Sequence, residues 1–572
     1  MPEYLAPGVY VEETSFRAKS IEGVSTSTTA FAGPTRKGPT TGAPVLITSF
    51  GDFERIYGGF GNLQFGASEV TNYIAHGVRN YFDNGGARLF MARVYNASGG
   101  DGIARSPFVG GDAANANNLR FIARSPGRAG NGTVTVTLAQ VPVTAMALAR
   151  ASRGTLMVDG VNVFVRGATD FRDDTNTAFA AALGGDENFI TANVLIRDGD
   201  GNETFFENLG LAEGHPRYIG AILNPTPDRL VDQLELAFAI ELGTGVNAFR
   251  LYTILNGING TAQTLGRNSA DTDGADGTDG AEPVTGSYTT PLDGLARIDD
   301  ISIVAAPGYA SFAERIGIQD ALRTHAETRK AYRFAVLDCR QGIIPTEALI
   351  DKSVLDSSYA AIYYPWVMVA NPLARPDDVS IPREIALPPS GFICGIFARN
   401  DISRSVSKSP GNEIVRGAIR FERNISHAEQ ELLNPRGVNC LRFFPGRGFR
   451  LWGARTASSD PEWKYIGPRR YFLFLEHSID RSTQWAVFEN NGPQLWANVR
   501  EAVTSFLYNE WRSGNLLGTT TDEAFFVRCD RSTMTQNDLD NGRLICLIGV
   551  AVLKPAEFVI FRIGQKTADA RD

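Results

Sequence analysis

Three short runs decide the fold class: Ile301-Ser302-Ile303-Val304-Ala305-Ala306, Arg333-Phe334-Ala335-Val336-Leu337-Asp338, and the stretch from Ala361 to Ala370. Each is apolar and rich in β-branched or aromatic residues, and helical spacing fills the gaps at roughly Phe312 to Lys330 and Thr346 to Ser357. Strand–helix–strand–helix–strand order predicts parallel strands with covering helices. The turn Pro388-Pro389-Ser390-Gly391 then leads into a predicted strand at Phe392 to Phe397. Asp338 ends the second strand, where catalytic acids of α/β enzymes sit. A helix cap or turn is the plainer reading of the same position.

Downstream lies the clearest helix, Pro493 to Arg512, with Pro493 near its first position and Gly514 just past its end. Leu495, Val499, Val503 and Phe506 form one apolar stripe, with Trp496 and Leu507 beside it. Asn498, Arg500, Glu501 and Glu510 lie off that stripe. The chain closes in an extended arm, 549–572, carrying Phe558-Val559-Ile560-Phe561. A second arm opens it at 1–22, where Pro2 and Pro7 block helix and Val9, Tyr10 and Val11 belong to a strand-like alternation. A lone terminal strand has no hydrogen-bond partners of its own, so it frays or joins a sheet elsewhere.

Residues 23–100 read as the first part of an α/β core: a strand at Pro44–Ser49, a helix at Ala67–Phe82, and a strand at Ala87–Val94. Residues 101–290 read as a mainly β outer insertion, with strands near Thr133–Leu138, Val161–Val165 and Ala192–Ile196 and one helix at Asp228–Leu242. The insertion ends in a flexible acidic loop, Asp271 to Gly280. Residues 291–548 resume the core. The expected class is thus a multidomain α+β or α/β protein: a mixed sheet with flanking helices, the insertion, and two arms.

With 572 residues, 43% of them hydrophobic, the chain can bury real cores. Its 63 acidic against 55 basic residues argue against a nucleic-acid partner. The five cysteines form no Cys-x-x-Cys pair and mostly sit in apolar runs, which predicts buried reduced thiols and synthesis in a cytoplasm. The longest apolar run, Leu544 to Leu553, is half what a membrane span of roughly 20 residues needs. No signal peptide is visible, and no direct membrane insertion is expected.

Searches for chemistry return little. Gly33 to Gly38 has phosphate-loop spacing, but Pro39-Thr40 stands where Lys-Ser/Thr is required. Gly446-Arg447-Gly448 fails the dinucleotide pattern at Leu451. His76, His215, His325, His427 and His477 include no i, i+4 pair. No Gly-x-Ser-x-Gly elbow appears. The acidic loop invites calcium, yet lacks the closing Glu of such loops. No catalytic residue, metal ligand or cofactor is assigned. Arg469-Arg470 and the Arg447, Arg450, Arg455 group suggest salt bridges between subunits more than an anionic ligand.

Several motifs carry a family resemblance. In order they are Tyr4 to Glu13, Ala123-Arg124-Ser125-Pro126-Gly127 with Gly130-Asn131, His215-Pro216-Arg217-Tyr218, Ala305-Ala306-Pro307-Gly308, Tyr364-Pro365-Trp366 and Pro388 to Gly391. Ser409 to Ile414, Asn434 to Asn439, Gly446 to Thr456, Arg469-Arg470-Tyr471, Phe488 to Asn491, Trp511 to Gly518 and Pro555 to Phe561 follow. Each alone is weak, but their common order resembles the contractile tail sheath proteins of phage tails and related injection machines. Ser409-Pro410-Gly411-Asn412 departs from the family's usual Ala-Pro-Ala-Asn. The resemblance implies a structural, non-enzymatic subunit stacked helically in hexameric rings around an inner tube protein, with baseplate and tail terminator proteins as further partners. It implies that each subunit lends its arms to neighbouring sheets, through residues such as Val9–Val11 and Phe558–Phe561. It implies a metastable extended state that contracts without nucleotide to drive the tube through a target envelope, and a place in a virion tail or released injection particle. The charged face at Asn498, Arg500, Glu501 and Glu510 is the candidate contact with the tube. Two other readings stay open: a non-contractile shell protein sharing the core fold, and an α/β hydrolase-type enzyme built on 291–400.

Overall fold

A computed structural model describes residues 20–111, 115–179, 183–267 and 273–561. These residues divide into two compact units. One holds 27–399 and 411–464, and the other holds the described parts of 1–26 and 465–572 together with 400–410.

The larger unit is built on a mixed sheet whose strands come from distant parts of the chain. β1 (Thr29–Gly33) and β2 (Val45–Ile47) come first, then helix α1 (Tyr73–Asp83) and β3 (Leu89–Arg93). The chain leaves the sheet after β3 and returns as β4 (Ile303–Ala305). The expected alternation follows: α2 (Arg315–Glu327), β5 (Phe334–Asp338), α3 (Pro345–Ser353) and β6 (Ala360–Tyr364). Helix α4 (Ser390–Ser403), β7 (Glu413–Ile414) and the hairpin of β8 (Val438–Phe444) and β9 (Gly448–Trp452) complete it. The spatial order is β2-β3-β1-β4-β5-β6-β8-β9-β7. The six strands from β3 to β8 run parallel, and antiparallel strands close both ends. β1, β5 and β6 are buried at every position, as parallel strands covered on both faces must be.

The excursion between β3 and β4 builds its own sheet. Its centre is the long antiparallel pair Gly132–Pro142 and Glu187–Asp198, over a core that includes Val134, Val136, Val194 and Ile196. The acidic loop differs from expectation. Asp271 lies outside the described residues, but Asp279 is buried and accepts backbone N–H groups from Gln64 and Arg128, each at 2.9 Å. Asp276 accepts from Arg267 N at 2.7 Å. These carboxylates latch the loop in place through backbone donors.

Other departures have identifiable causes. The segment Phe392–Phe397 is helix, not strand, because 390–398 of α4 are buried at every position and leave no amphipathic period to read. Its start is capped by Asp338, whose carboxylate accepts Ser390 N at 2.7 Å and Ser390 Oγ at 2.6 Å. Burial pushes the Asp338 pKa up to about 7 against the pull of those two bonds. Glycine permits the close crossing of α4 on α1, since a Cβ on Gly391 would fall 2.7 Å from Gly77 Cα. The predicted helix Asp228–Leu242 is a short helix, Leu230–Glu235, followed by a strand, Phe238–Leu242, captured by the ladder with Leu119–Ala123. The predicted run Ala361–Ala370 breaks at Pro365, which cannot donate to a ladder, and Val367–Ala370 joins a different sheet. Helix α1 begins at Asn72, its cap, because Ser68–Val70 pairs back on Leu63–Phe65.

Members of the arginine group take partners inside the chain. Arg470 makes a bidentate pair with Asp401 at 2.9 and 2.6 Å, the two side chains being 3% and 2% exposed, and also donates to Thr26 O at 3.0 Å. Arg469 and Arg455 are buried. Arg447 lies over the rings of Phe444 and Trp452, and Arg450 donates to Asn412 O.

Arg470→Met leaves Asp401 charged and unpaired, so it should destabilise the smaller unit by about 3–5 kcal/mol, whereas Arg470→Met with Asp401→Leu should recover most of the loss. Denaturant midpoints followed by tryptophan fluorescence give the comparison, and equal losses in both variants would contradict the pairing. His325 is buried and takes an Arg333 N–H at 2.5 Å on Nε2, which requires neutral imidazole. Burial, then the Arg333 charge, hold its pKa down to about 4. A depressed pKa means stability present above about pH 6.5 and lost as pH falls toward 4. The urea midpoint of the wild type should therefore drop more steeply over that window than that of His325→Gln.

Candidate assembly interface

The smaller unit gathers the residues that the sequence marks for partners. Its frame is α5 (Ile466–Ser482) and α6 (Pro493–Arg512), followed by the single turn α7 (Thr521–Ala524). The hairpin of β10 (Phe525–Arg528) and β11 (Leu547–Val550) completes it. The stripe on α6 is core as expected: Leu495, Val499, Val503 and Phe506 pack with Tyr471, Leu475, Phe525 and Cys529.

Both arms root in this unit. Val9, Tyr10 and Val11 lie outside the described residues, but the segment that follows them does not. Glu22 N and Val24 N donate to Ser482 Oγ and Ser478 Oγ on α5, at 3.3 and 3.2 Å. Ile21 packs against the core of the unit. At the other end, β11 takes up Leu547–Val550, and Leu517 N donates to Ala551 O at 2.8 Å. The free arm thus begins after Val552, some residues later than 549. Tyr465 Oη donates to Glu557 at 2.9 Å. Beyond that tether Phe558, Val559, Ile560 and Phe561 are 72%, 70%, 79% and 83% exposed and join no strand ladder.

The hairpin is the complementary feature. Among the described residues β10 and β11 pair only with each other, so each has an outer edge of backbone groups without a ladder partner. A two-stranded sheet is marginal alone, and an open edge accepts further strands. Its outward face carries Phe526 and Leu547, about half exposed, with the Arg528 guanidinium over the Phe526 ring. Gly549 lets the Phe526 ring lie across it, since a Cβ there would fall 2.2 Å from Phe526 Cε1. A groove of about 810 Å³ lies between α6 and β10, lined by Arg500, Glu501 and Tyr508 on one side and Phe525–Val527 on the other. Sequence reading missed the hairpin, although Phe525-Phe526-Val527 and Leu544–Leu553 supplied its apolar runs.

The four charged or polar candidates on α6 separate here. Arg500 and Glu501 are exposed on the rim of that groove, and Asn498 is half-buried. Glu510 turns inward: its Oε2 accepts Tyr471 Oη at 3.0 Å and Asn515 Nδ2 at 2.8 Å. It supports the fold and is not a free surface charge.

Residues 283–457 match the family model of the phage tail sheath protein central domain, and 458–566 match that of the phage tail sheath C-terminal domain. A prophage major tail sheath protein of Pseudomonas aeruginosa (strain UCBPP-PA14) is 25% identical over 31% of this chain and 45% of its own. The tail sheath protein of Vibrio phage KVP40 is 24% identical over 40% of this chain and 33% of its own. The chain thus spans less than half the length of either curated relative. The helical sheath of the anti-feeding prophage in its contracted state shares the fold, with 20% identity, a TM-score of 0.54, and coverage of 99% and 100% of the two chains. Residues 283–566 thus belong to the phage tail sheath family, as its central and C-terminal domains in unbroken succession.

Proposed function

We propose that this chain is the structural subunit of a contractile sheath, polymerising by strand exchange and working without catalysis. One observation carries the reading: a single unit bears an unpaired strand-forming arm, Phe558–Phe561, and a two-stranded hairpin with open edges. The arm of one copy completes the hairpin of the next, and the N-terminal arm, rooted beside it on α5, does the same for another neighbour. Four added backbone bonds are worth about 2–6 kcal/mol at about 0.5–1.5 kcal/mol each. One joint is therefore modest, and a lattice of them is strong. The subunits ring an inner tube, hold an extended metastable state set at assembly, and shorten to drive the tube through a target envelope. The particle is a virion tail or a released injection device. The enzyme reading loses its best residue, since Asp338 is committed to capping α4.

Deleting 554–572, which spares β11, should leave folded protein that forms no tubes, and deleting 1–19 should do the same. Negative-stain electron microscopy reads the result, and normal tubes from either truncation would sink the strand-exchange mechanism. Rings or tubes of fixed length under contracting conditions would favour the non-contractile shell. Reversing Arg500 and Glu501 together should weaken co-sedimentation with the inner tube several-fold without lowering the unfolding midpoint. Reversing Glu510 should lower that midpoint by stranding the Tyr471 hydroxyl.

A further inference from the structure

Cys529 and Cys546 stand just past the last assigned pair of the β10–β11 ladder, Arg528 with Leu547. Continuing the antiparallel register by one residue sets the two cysteines directly opposite each other. Ala551 N donates to Ala524 O at the other end of the hairpin, which marks that position as a hydrogen-bonded pair. Alternation along the ladder then makes Cys529–Cys546 a non-hydrogen-bonded pair, the kind with Cα atoms about 4.5 Å apart and side chains closest. That spacing lies within the range a disulfide spans. Both thiols are on the core face of the hairpin: Cys529 is in the buried cluster, and Cys546 packs against it beside Ile548 and Val550. The outward face instead carries Phe526 and Leu547. The loop ends are already drawn together, because the Thr533 hydroxyl donates to Ile545 O at 2.8 Å and to Asp530 O at 2.9 Å. Both cysteines are free thiols in this structure.

We infer that Cys529 and Cys546 form a redox-responsive cross-strand pair, which a low-molecular-weight disulfide such as oxidised glutathione closes into a staple across the hairpin. The half-buried Cys546 is the entry point, and Cys529 is the resolving thiol. Cys546 gives up its proton and attacks one glutathione sulfur, expelling one glutathione thiolate. Cys529 then loses its proton and attacks the Cys546 sulfur of the mixed disulfide, expelling the second glutathione. Two cysteine thiols are oxidised and one small disulfide is reduced to two thiols. Burial pushes the Cys546 thiol up to about 12, so its thiolate is scarce at neutral pH and closure is slow. The pair therefore stays reduced in a reducing cytoplasm and closes gradually in an oxidising medium. Nothing in this pairing depends on polymerisation. The bond would fix the 530–545 loop and the geometry of the hairpin whose edges are open.

The test uses the full chain, held at pH 8 with oxidised glutathione and separately with dithiothreitol, then alkylated on unfolding and mapped without reduction. The expected result is two fewer alkylated thiols of the five, and a peptide joining Cys529 to Cys546. The thermal midpoint of the soluble protein should rise by about 5–10 °C on oxidation. Cys546→Ser, at the more exposed position, should fold, keep its remaining thiols and show no rise; Cys529→Ser should show the same if it folds. Five thiols unchanged, a glutathione adduct on Cys546 alone, or a bond to another cysteine would overturn the pairing. A Cys529–Cys546 bond without a midpoint rise would overturn the staple.

Discussion

One guanidinium holds the smaller unit together. That unit is assembled from three separate pieces of chain, and Arg470 touches all of them: it belongs to α5, pairs with Asp401 at the end of α4, and holds the carbonyl of Thr26. A buried arginine satisfies several acceptors in fixed directions, which a lysine cannot. The consequence is positional. Thr26 marks where the N-terminal arm ends and the sheet begins, so the pin fixes the root of the arm whatever its far end does. Ser478 and Ser482 extend the same grip about two and three turns further along α5.

The larger unit solves a different problem, how to interrupt a sheet without weakening it. β1 lies between β3 and β4, which belong to opposite ends of the excursion. Departure and return are therefore both neighbours of one central strand. Whatever the excursion builds, its two ends are tied in parallel register to the same strand, and Thr29, Ala30 and Phe31 pair with both. The Asp279 latch to Gln64 and Arg128 repeats this, since it bonds the last loop of the excursion to backbone from both core and insertion. An insertion held this way can change in length or content at low cost to the sheet.

Legibility in the sequence followed the range of the interactions. Helix α6 was readable because Pro493, Gly514 and a four-residue apolar stripe are local signals, and β5 because it is one apolar run. The α4 segment was misread because burial on every side erases the helical period, and its cap, Asp338, lies 52 residues upstream. The Arg470–Asp401 pair is 69 residues apart, and no local pattern distinguishes it from a surface salt bridge. Glu510 fell off the apolar stripe by period and was read as outward, yet a tyrosine 39 residues away recruits it. The arms were visible as orphan strands. The hairpin that would receive them was not, because its two strands are short and separated by the 530–545 loop.

In the assembly we propose, the tethers would let strand exchange coexist with movement. Phe558–Phe561 span about 13 Å when extended. Their root at Glu557 accepts a hydrogen bond from Tyr465, a contact worth about 1–2 kcal/mol. In the assembly we propose, a paired arm gains more from its ladder than its root gains from that bond. Load applied between copies would then release the Tyr465 contact before it strips the strand. The residues between Val552 and Phe558 would serve as the hinge, since Pro555 keeps that linker out of both helix and central ladder. A joint that bends at its root and holds at its tip lets folded bodies shift while every copy stays connected.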